Sequence, residues 1–174
     1  MPKHTEIILA IQSIPWFVDL SPSQVERLAS IAGIRCVSSG EELFREGDRE
    51  GYMYVVLEGQ LNLENYVPTH GVLYLYTANP LDILGWSSMT PVVRQLTASA
   101  RAISAAKLIA FDSEALHILC EEDHDLGYII MRRLANVVAS QLLVSRLSLY
   151  DLIMRNAQDQ PLQPPVHKMN APTP

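Results

Sequence analysis

Metal binding and nucleophilic catalysis draw on histidine, cysteine and carboxylate side chains held at fixed spacings, and this chain scatters them. Its five histidines are His4, His70, His117, His124 and His167. Two fall in the termini, two lie around predicted helices and one sits in a hairpin loop. That pattern lacks the convergence from neighbouring strands that a metal-dependent barrel enzyme requires. Cys36 and Cys120 form no C-x-x-C pair, so they read as two separate reduced thiols rather than a disulfide or a zinc site. No G-x-S-x-G, H-E-x-x-H or P-loop pattern occurs. The residues point away from catalysis and toward binding.

Whatever is bound must be positioned by a fold of one domain's size, since the chain has 174 residues, 48% of them hydrophobic and 18% charged. The net charge of -6 disfavours non-specific nucleic-acid binding, which needs a basic surface to release counterions. No uninterrupted apolar run approaches the roughly 20 residues that span a bilayer, and the N-terminus has no basic segment followed by an apolar one. A cytoplasmic protein is expected.

Helical spacing dominates both ends. Ile7, Ile8, Ile11 and Ile14 recur at helical intervals until Pro15 breaks the pattern. Ser21 reads as an N-cap with Pro22 at the first helical position, Val25, Leu28, Ala29 and Ala32 as the buried side, and Gly33 as the stop. From about Ile34 the chain turns to short strands punctuated by glycine: Tyr52 to Leu57, Gln60 to Glu64, Val72 to Tyr76, Thr97 to Ala102 and Lys107 to Phe111. That density of strands predicts an antiparallel roll or barrel. After Asp112 helices return, a short one capped by Ser113 and a long one from about Leu126 into Leu152 or Ile153. The long helix carries an apolar stripe including Ile130, Leu134, Val137, Val138, Leu142, Val144, Leu149 and Leu152, too wide to be left in water. Beyond Gln160 the proline-rich sequence has little to bury and reads as a flexible tail.

The segment Ser39-Gly40-Glu41-Glu42-Leu43-Phe44-Arg45-Glu46-Gly47-Asp48, followed by Tyr54-Val55-Val56-Leu57-Glu58-Gly59, closely resembles the opening of the cyclic-nucleotide-binding domain family. That family includes the catabolite activator proteins, kinase regulatory subunits and gated channels. The resemblance spans roughly Ile14 to Leu152. It implies an α+β fold: a β-roll (jelly roll) flanked by N-terminal helices and a long C-terminal helix that serves as lid and dimer seam. The expected divisions are 1–33 for the N-terminal helices, 34–112 for the roll, 113–155 for the C-terminal helices and 156–174 for the tail.

The resemblance also implies a phosphate-binding cassette, here Leu84-Gly85-Trp86-Ser87-Ser88-Met89-Thr90-Pro91-Val92-Val93-Arg94-Gln95. Such a cassette aims backbone N–H groups at a cyclic phosphate and pairs it with an arginine. Gly85 matches, Ser88 takes the place of the family's small residue, and Arg94 is the basic side chain of the loop, with Gln95 beside it. Trp86 departs from the pattern. It stands where the family usually has a glutamate that accepts from the ribose 2′-hydroxyl, and indole has no acceptor. Arg94 also lies about two residues further from the next strand than in the family pattern. The expected ligand contacts are Gly85, Trp86, Ser87, Ser88, Arg94 and Gln95, joined by Ser145 and Arg146 near the helical turn that meets the purine. Three readings stay open: a cyclic nucleotide (cAMP or cGMP), another phosphorylated or anionic ligand, or a pocket turned structural with Trp86 as its plug. The first implies a non-enzymatic sensor without cofactor, and the last a scaffold that recruits a partner through its helix or tail. A homodimer is expected, with no DNA-binding domain, no DNA partner and no membrane insertion.

Overall fold

The computed structural model describes residues 2–49, 51–90 and 95–159. Among them, eight strands form two four-stranded antiparallel sheets. They are β1 (Ala32–Val37), β2 (Glu42–Phe44), β3 (Tyr52–Glu58), β4 (Leu61–Val67), β5 (Gly71–Ala78), β6 (Ile83–Leu84), β7 (Ser99–Ala102) and β8 (Ala106–Asp112). One sheet has the order β1-β8-β3-β6 and the other β2-β7-β4-β5, so each seats an early strand beside a late one. The helices are α1 (Pro2–Ser13), α2 (Pro22–Ser30), α3 (Ser113–Glu122) and α4 (His124–Asp159). The β-roll with flanking helices and a long C-terminal helix is the architecture the sequence predicted.

Alternation explains the packing. Tyr54 and Val56 of β3, with Leu108 and Ala110 of β8, join Leu61, Leu63, Phe44 and Ala100 of the opposite sheet in one core between the sheets. The intervening Met53, Val55, Ile109 and Phe111 are equally buried, at 0–2% exposure, but belong to the other face. There Phe17, just after α1, meets Phe111 edge-on at 5.9 Å. A sheet covered on both faces has no use for polar alternation, which is why β3 and β8 read as near-continuous apolar runs.

The helix ends show local chemistry. At α2 the Ser21 hydroxyl accepts from Gln24 N–H while the Gln24 side chain accepts from Ser21 N–H, a capping box with Pro22 as first helical residue. The helix stops at Ser30, two residues before the expected Ala32, because Ala32 and Gly33 already pair with Phe111 and Ala110. At α3 the cap is Asp112 rather than Ser113: the Asp112 carboxylate accepts from Ala115 N–H at 2.8 Å. At the α3–α4 corner Asp123 accepts from Leu126 N–H at 2.9 Å and from the Gln24 side chain at 3.1 Å, while Arg27 reaches Glu122 at 2.5 Å.

The chain divides into two units, Met1–Leu134 and Ala135–Pro174. In the first, Leu126, Ile130 and Leu134 of α4 are buried. Leu134 therefore already has a use within its own chain and does not belong to the exposed stripe. In the second, Leu142, Leu149 and Leu152 are each more than half exposed. The segment His124–Met154 is long and apolar enough to cross a membrane by length and composition. Ser145, Arg146, Ser148 and Asp151 break up a stretch that is apolar on average. The expected tail beyond Gln160 lies outside the described residues.

Candidate functional site

The site is built where β6 ends. Gly85 takes φ 68 and ψ 17, a left-handed conformation that turns the chain out of the strand into a 3-10 turn, Trp86–Met89. Space demands glycine as well as conformation. A Cβ at Gly85 would lie 2.7 Å from the Tyr52 carbonyl oxygen and 3.5 Å from the Tyr54 ring. The turn is thus set directly against β3, whose Tyr54 stacks on Phe44 in the core with ring centroids 6.0 Å apart.

Within the turn, polar groups are used heavily. Ser88 N–H donates to the Gly85 carbonyl at 3.0 Å, and Thr90 N–H to the Ser87 carbonyl at 3.1 Å. The Ser88 hydroxyl donates to the same Gly85 carbonyl at 2.7 Å and lies 2.6 Å from the Ser113 hydroxyl at the start of α3. Thr90 Oγ1 donates to the Ser87 carbonyl at 2.8 Å. Ser87 and Met89 are buried, at 2% and 3% exposure, while Trp86 is half-buried. Gly85 to Thr90 contains no ionisable side chain, so the turn itself has no group for acid–base work.

The structure places Gly85, Trp86, Ser87 and Ser88 together on this turn. Arg94 lies outside the described residues. Gln95 is exposed, and the next residue, Leu96, is buried and pinned on both sides: its N–H donates to the Asp48 carbonyl and its carbonyl accepts from Gly47 N–H, each at 2.9 Å. The glycine-marked loop before β3 and the end of the cassette are thereby held together. Ser145 and Arg146 lie on α4 in the second unit and are exposed. Ser113, read from sequence only as a helix cap, is instead a neighbour of the cassette. Nothing in its local sequence distinguished the two roles, because Asp112 and Ser113 are both good capping residues.

Among the described residues the histidines are spread over several elements, and His117 and His124 line a common pocket. His4 pairs with Glu26 at 2.7 Å, His117 lies 3.3 Å from Glu121 one turn away, and His70 contacts Thr69. Among the described residues no group of three histidine, cysteine or acidic side chains is placed to hold a metal ion.

Comparison with known proteins matches residues 34–123 to the cyclic nucleotide-binding domain family. No curated protein matches the chain. Among solved structures, a cyclic nucleotide-binding domain from Methylobacillus flagellatus KT superposes with a TM-score of 0.69 at 24% identity, covering 88% of this chain and 83% of that one. The catabolite activator protein of Thermus thermophilus gives 0.63 at 24% identity, covering 80% of this chain and 63% of that one. The regulatory domain of Toxoplasma gondii PKA, solved with cAMP, gives 0.65 at 12% identity, covering 78% of this chain and 51% of that one. At these identities the likeness concerns the fold.

Proposed function

Because the chain belongs to the cyclic nucleotide-binding domain family, we propose that it is a non-enzymatic sensor. In this reading it binds a cyclic nucleotide, cAMP before cGMP, at the turn that follows Gly85, and signals through its C-terminal helices in the cytoplasm. The observation that carries the reading is the cassette glycine itself. Gly85 is left-handed, has no room for a Cβ, and opens onto a short turn fixed to β3 whose middle residues, Ser87 and Ser88, are small. Such a turn lets an anionic group approach the backbone closely. Arg94 supplies the phosphate partner, Gln95 lies beside it, and Ser145 and Arg146 belong to the surface offered to the base. Trp86 provides an apolar face and an indole donor in place of the ribose acceptor, which favours stacking over hydrogen bonding as its contribution.

The same reading assigns α4 beyond Leu134 to a second copy of the chain. Leu142, Leu149 and Leu152 are 51–57% exposed and recur on a heptad-like spacing, which suits a symmetric helix pair. Burial of this surface against a second copy, rather than in lipid, is consistent with the serines, Arg146 and Asp151 that interrupt it.

Calorimetry of the purified protein against cAMP, cGMP, cyclic dinucleotides and inorganic phosphate tests the sensor reading. Binding of a cyclic mononucleotide that Arg94→Ala weakens by at least roughly 30-fold supports it, that being the scale of a lost charge-assisted pair to a desolvated phosphate. Absence of binding to all four at millimolar concentration would overturn it in favour of a scaffold whose helix or tail recruits a partner.

A further inference from the structure

Ser113 occupies the first position of α3 and would ordinarily spend its polar groups on the helix start. Neither its amide nor its hydroxyl does so. Asp112 accepts from Ala115 N–H and so fills the capping role. Ser113 N–H reaches back to the Gly51 carbonyl at 2.8 Å, fixing the start of α3 beside the entry to β3. Its hydroxyl then points to the cassette, 2.6 Å from Ser88 Oγ. Ser113 is 6% exposed, and Ser87 and Ser113 are the buried polar residues among those described.

Proton counting gives the contact a direction. A serine hydroxyl has one donor. Ser88 gives its proton to the Gly85 carbonyl at 2.7 Å, so the hydrogen between the two hydroxyls comes from Ser113. The assignment that makes both bonds is a relay in which Ser113 donates to Ser88 and Ser88 donates to Gly85. It ends on the carbonyl of the one left-handed residue that opens the cassette.

We propose that Ser113 is a positioning residue for the cassette: through Ser88 it holds the turn Trp86–Met89 in the conformation that receives the ligand. The proposal rests on the sensor reading for what the turn receives, but not for the effect on the turn itself. The i-to-i+3 hydrogen bonds of a single 3-10 turn have poor geometry and do not by themselves hold its shape. It depends on anchors outside it, among them β3 on one side and Ser113 on the other. Without the Ser113 hydroxyl the turn samples other shapes, and a ligand must first select the competent one, weakening its apparent affinity by that fraction.

Amide hydrogen exchange on the ligand-free chain tests this without needing a ligand, and cAMP titration adds the second readout. Ser113→Ala should speed exchange across residues 86–90 by roughly tenfold or more and weaken cAMP binding by roughly fivefold or more, on the scale of one buried hydrogen bond. Ser113→Thr, which keeps the hydroxyl, should restore both. Asp112→Ala is the control: it removes the α3 cap but leaves the relay, so exchange should rise in α3 and not across residues 86–90. Unchanged exchange across 86–90 in Ser113→Ala, or an equal rise in Asp112→Ala, overturns the proposal. Should Ser113→Ala not fold, Ser88→Ala breaks the same relay and must show the same local exchange; if it does not, the proposal fails. Failure of the unaltered protein to bind cAMP, cGMP, cyclic dinucleotides or phosphate strikes the sensor reading, while the exchange comparison still decides the role of Ser113.

Discussion

Gly59 and Gly85 both combine positive φ with a close neighbour. A Cβ at Gly59 would lie 2.3 Å from the Ala105 carbonyl oxygen, against 2.7 Å from Tyr52 O at Gly85. Gly40 has similar φ, at 83°, with nothing within 4 Å of the added carbon. Gly40→Ala should therefore cost only the left-handed strain, about 1–2 kcal/mol, whereas Gly59→Ala and Gly85→Ala should cost more, because backbone must also shift. Urea denaturation of the three variants gives the ranking. The cysteines differ as sharply. Cys36 is exposed, while burial pushes the Cys120 thiol up to about 11, with the nearby Asp123 charge adding to the effect. At pH 8 a thiol reagent should label Cys36 within minutes and Cys120 only after denaturation, since the thiolate is the reactive form. Rapid modification of both thiols in the native protein would contradict that assignment. At the cassette, Trp86→Glu supplies the ribose acceptor that the family pattern has. It should tighten binding of ribose-containing cyclic nucleotides in calorimetry, whereas a Trp86 that only plugs the pocket predicts a lower melting temperature and no gain in affinity.

Among the elements, the α3–α4 corner is tuned by charge. Asp123 is held below the usual carboxylate range, first by Leu126 N–H, then by the Gln24 side chain, with Arg27 adding to it. A carboxyl lowered on folding contributes stability above its unfolded pKa of about 3.9 and loses that contribution as pH falls through the lower folded value. The stability difference between the unaltered protein and Asp123→Asn should then be constant near neutrality and shrink below about pH 4, as acid titration of the melting temperature will show. If α4 pairs with a second copy as proposed, Leu142→Glu with Leu149→Glu should raise the dimer dissociation constant by at least roughly 100-fold, since each would place a charge in the apolar seam. Light scattering across a concentration series checks this, and a concentration-independent monomer for the unaltered chain would remove the seam. Leu134 is unsuitable for that experiment, because its substitution would damage its own domain. How far these elements were legible depended on how much sequence each one spans. The N-cap at Ser21 with Pro22 behind it, and the apolar run of β3, announce themselves over several residues. β6 has only Ile83 and Leu84 and exists because β3 offers it a partner, information that no local pattern contains. The choice of Asp112 over Ser113 as cap, and with it the placement of Ser113 beside the cassette, was likewise decided by tertiary contact.

For the whole molecule, the glycine-marked framework made the roll readable from the sequence, because each turn needs a residue type that few positions tolerate. Arg94, Ser145 and Arg146 were placed by resemblance, and calorimetry of Arg94→Ala and Ser145→Ala separates a phosphate contact from a base contact: the first should weaken every phosphate ligand, the second only those whose base donates or accepts there. The pairing of β1 with β8, which sets Ala32 opposite Phe111, and of β2 with β7, reaches beyond the binding site into the protein's birth. In a chain still being synthesised the β2-β7-β4-β5 sheet cannot be completed until β7 has emerged, nor the β1-β8-β3-β6 sheet until β8 has, so the apolar β3 waits, half-covered, while its neighbour is being made. Non-local pairing of this kind places refolding in the millisecond-to-second range. It also makes the interval between the synthesis of Tyr52 and that of Asp112 the period in which a nascent chain most needs protection from aggregation.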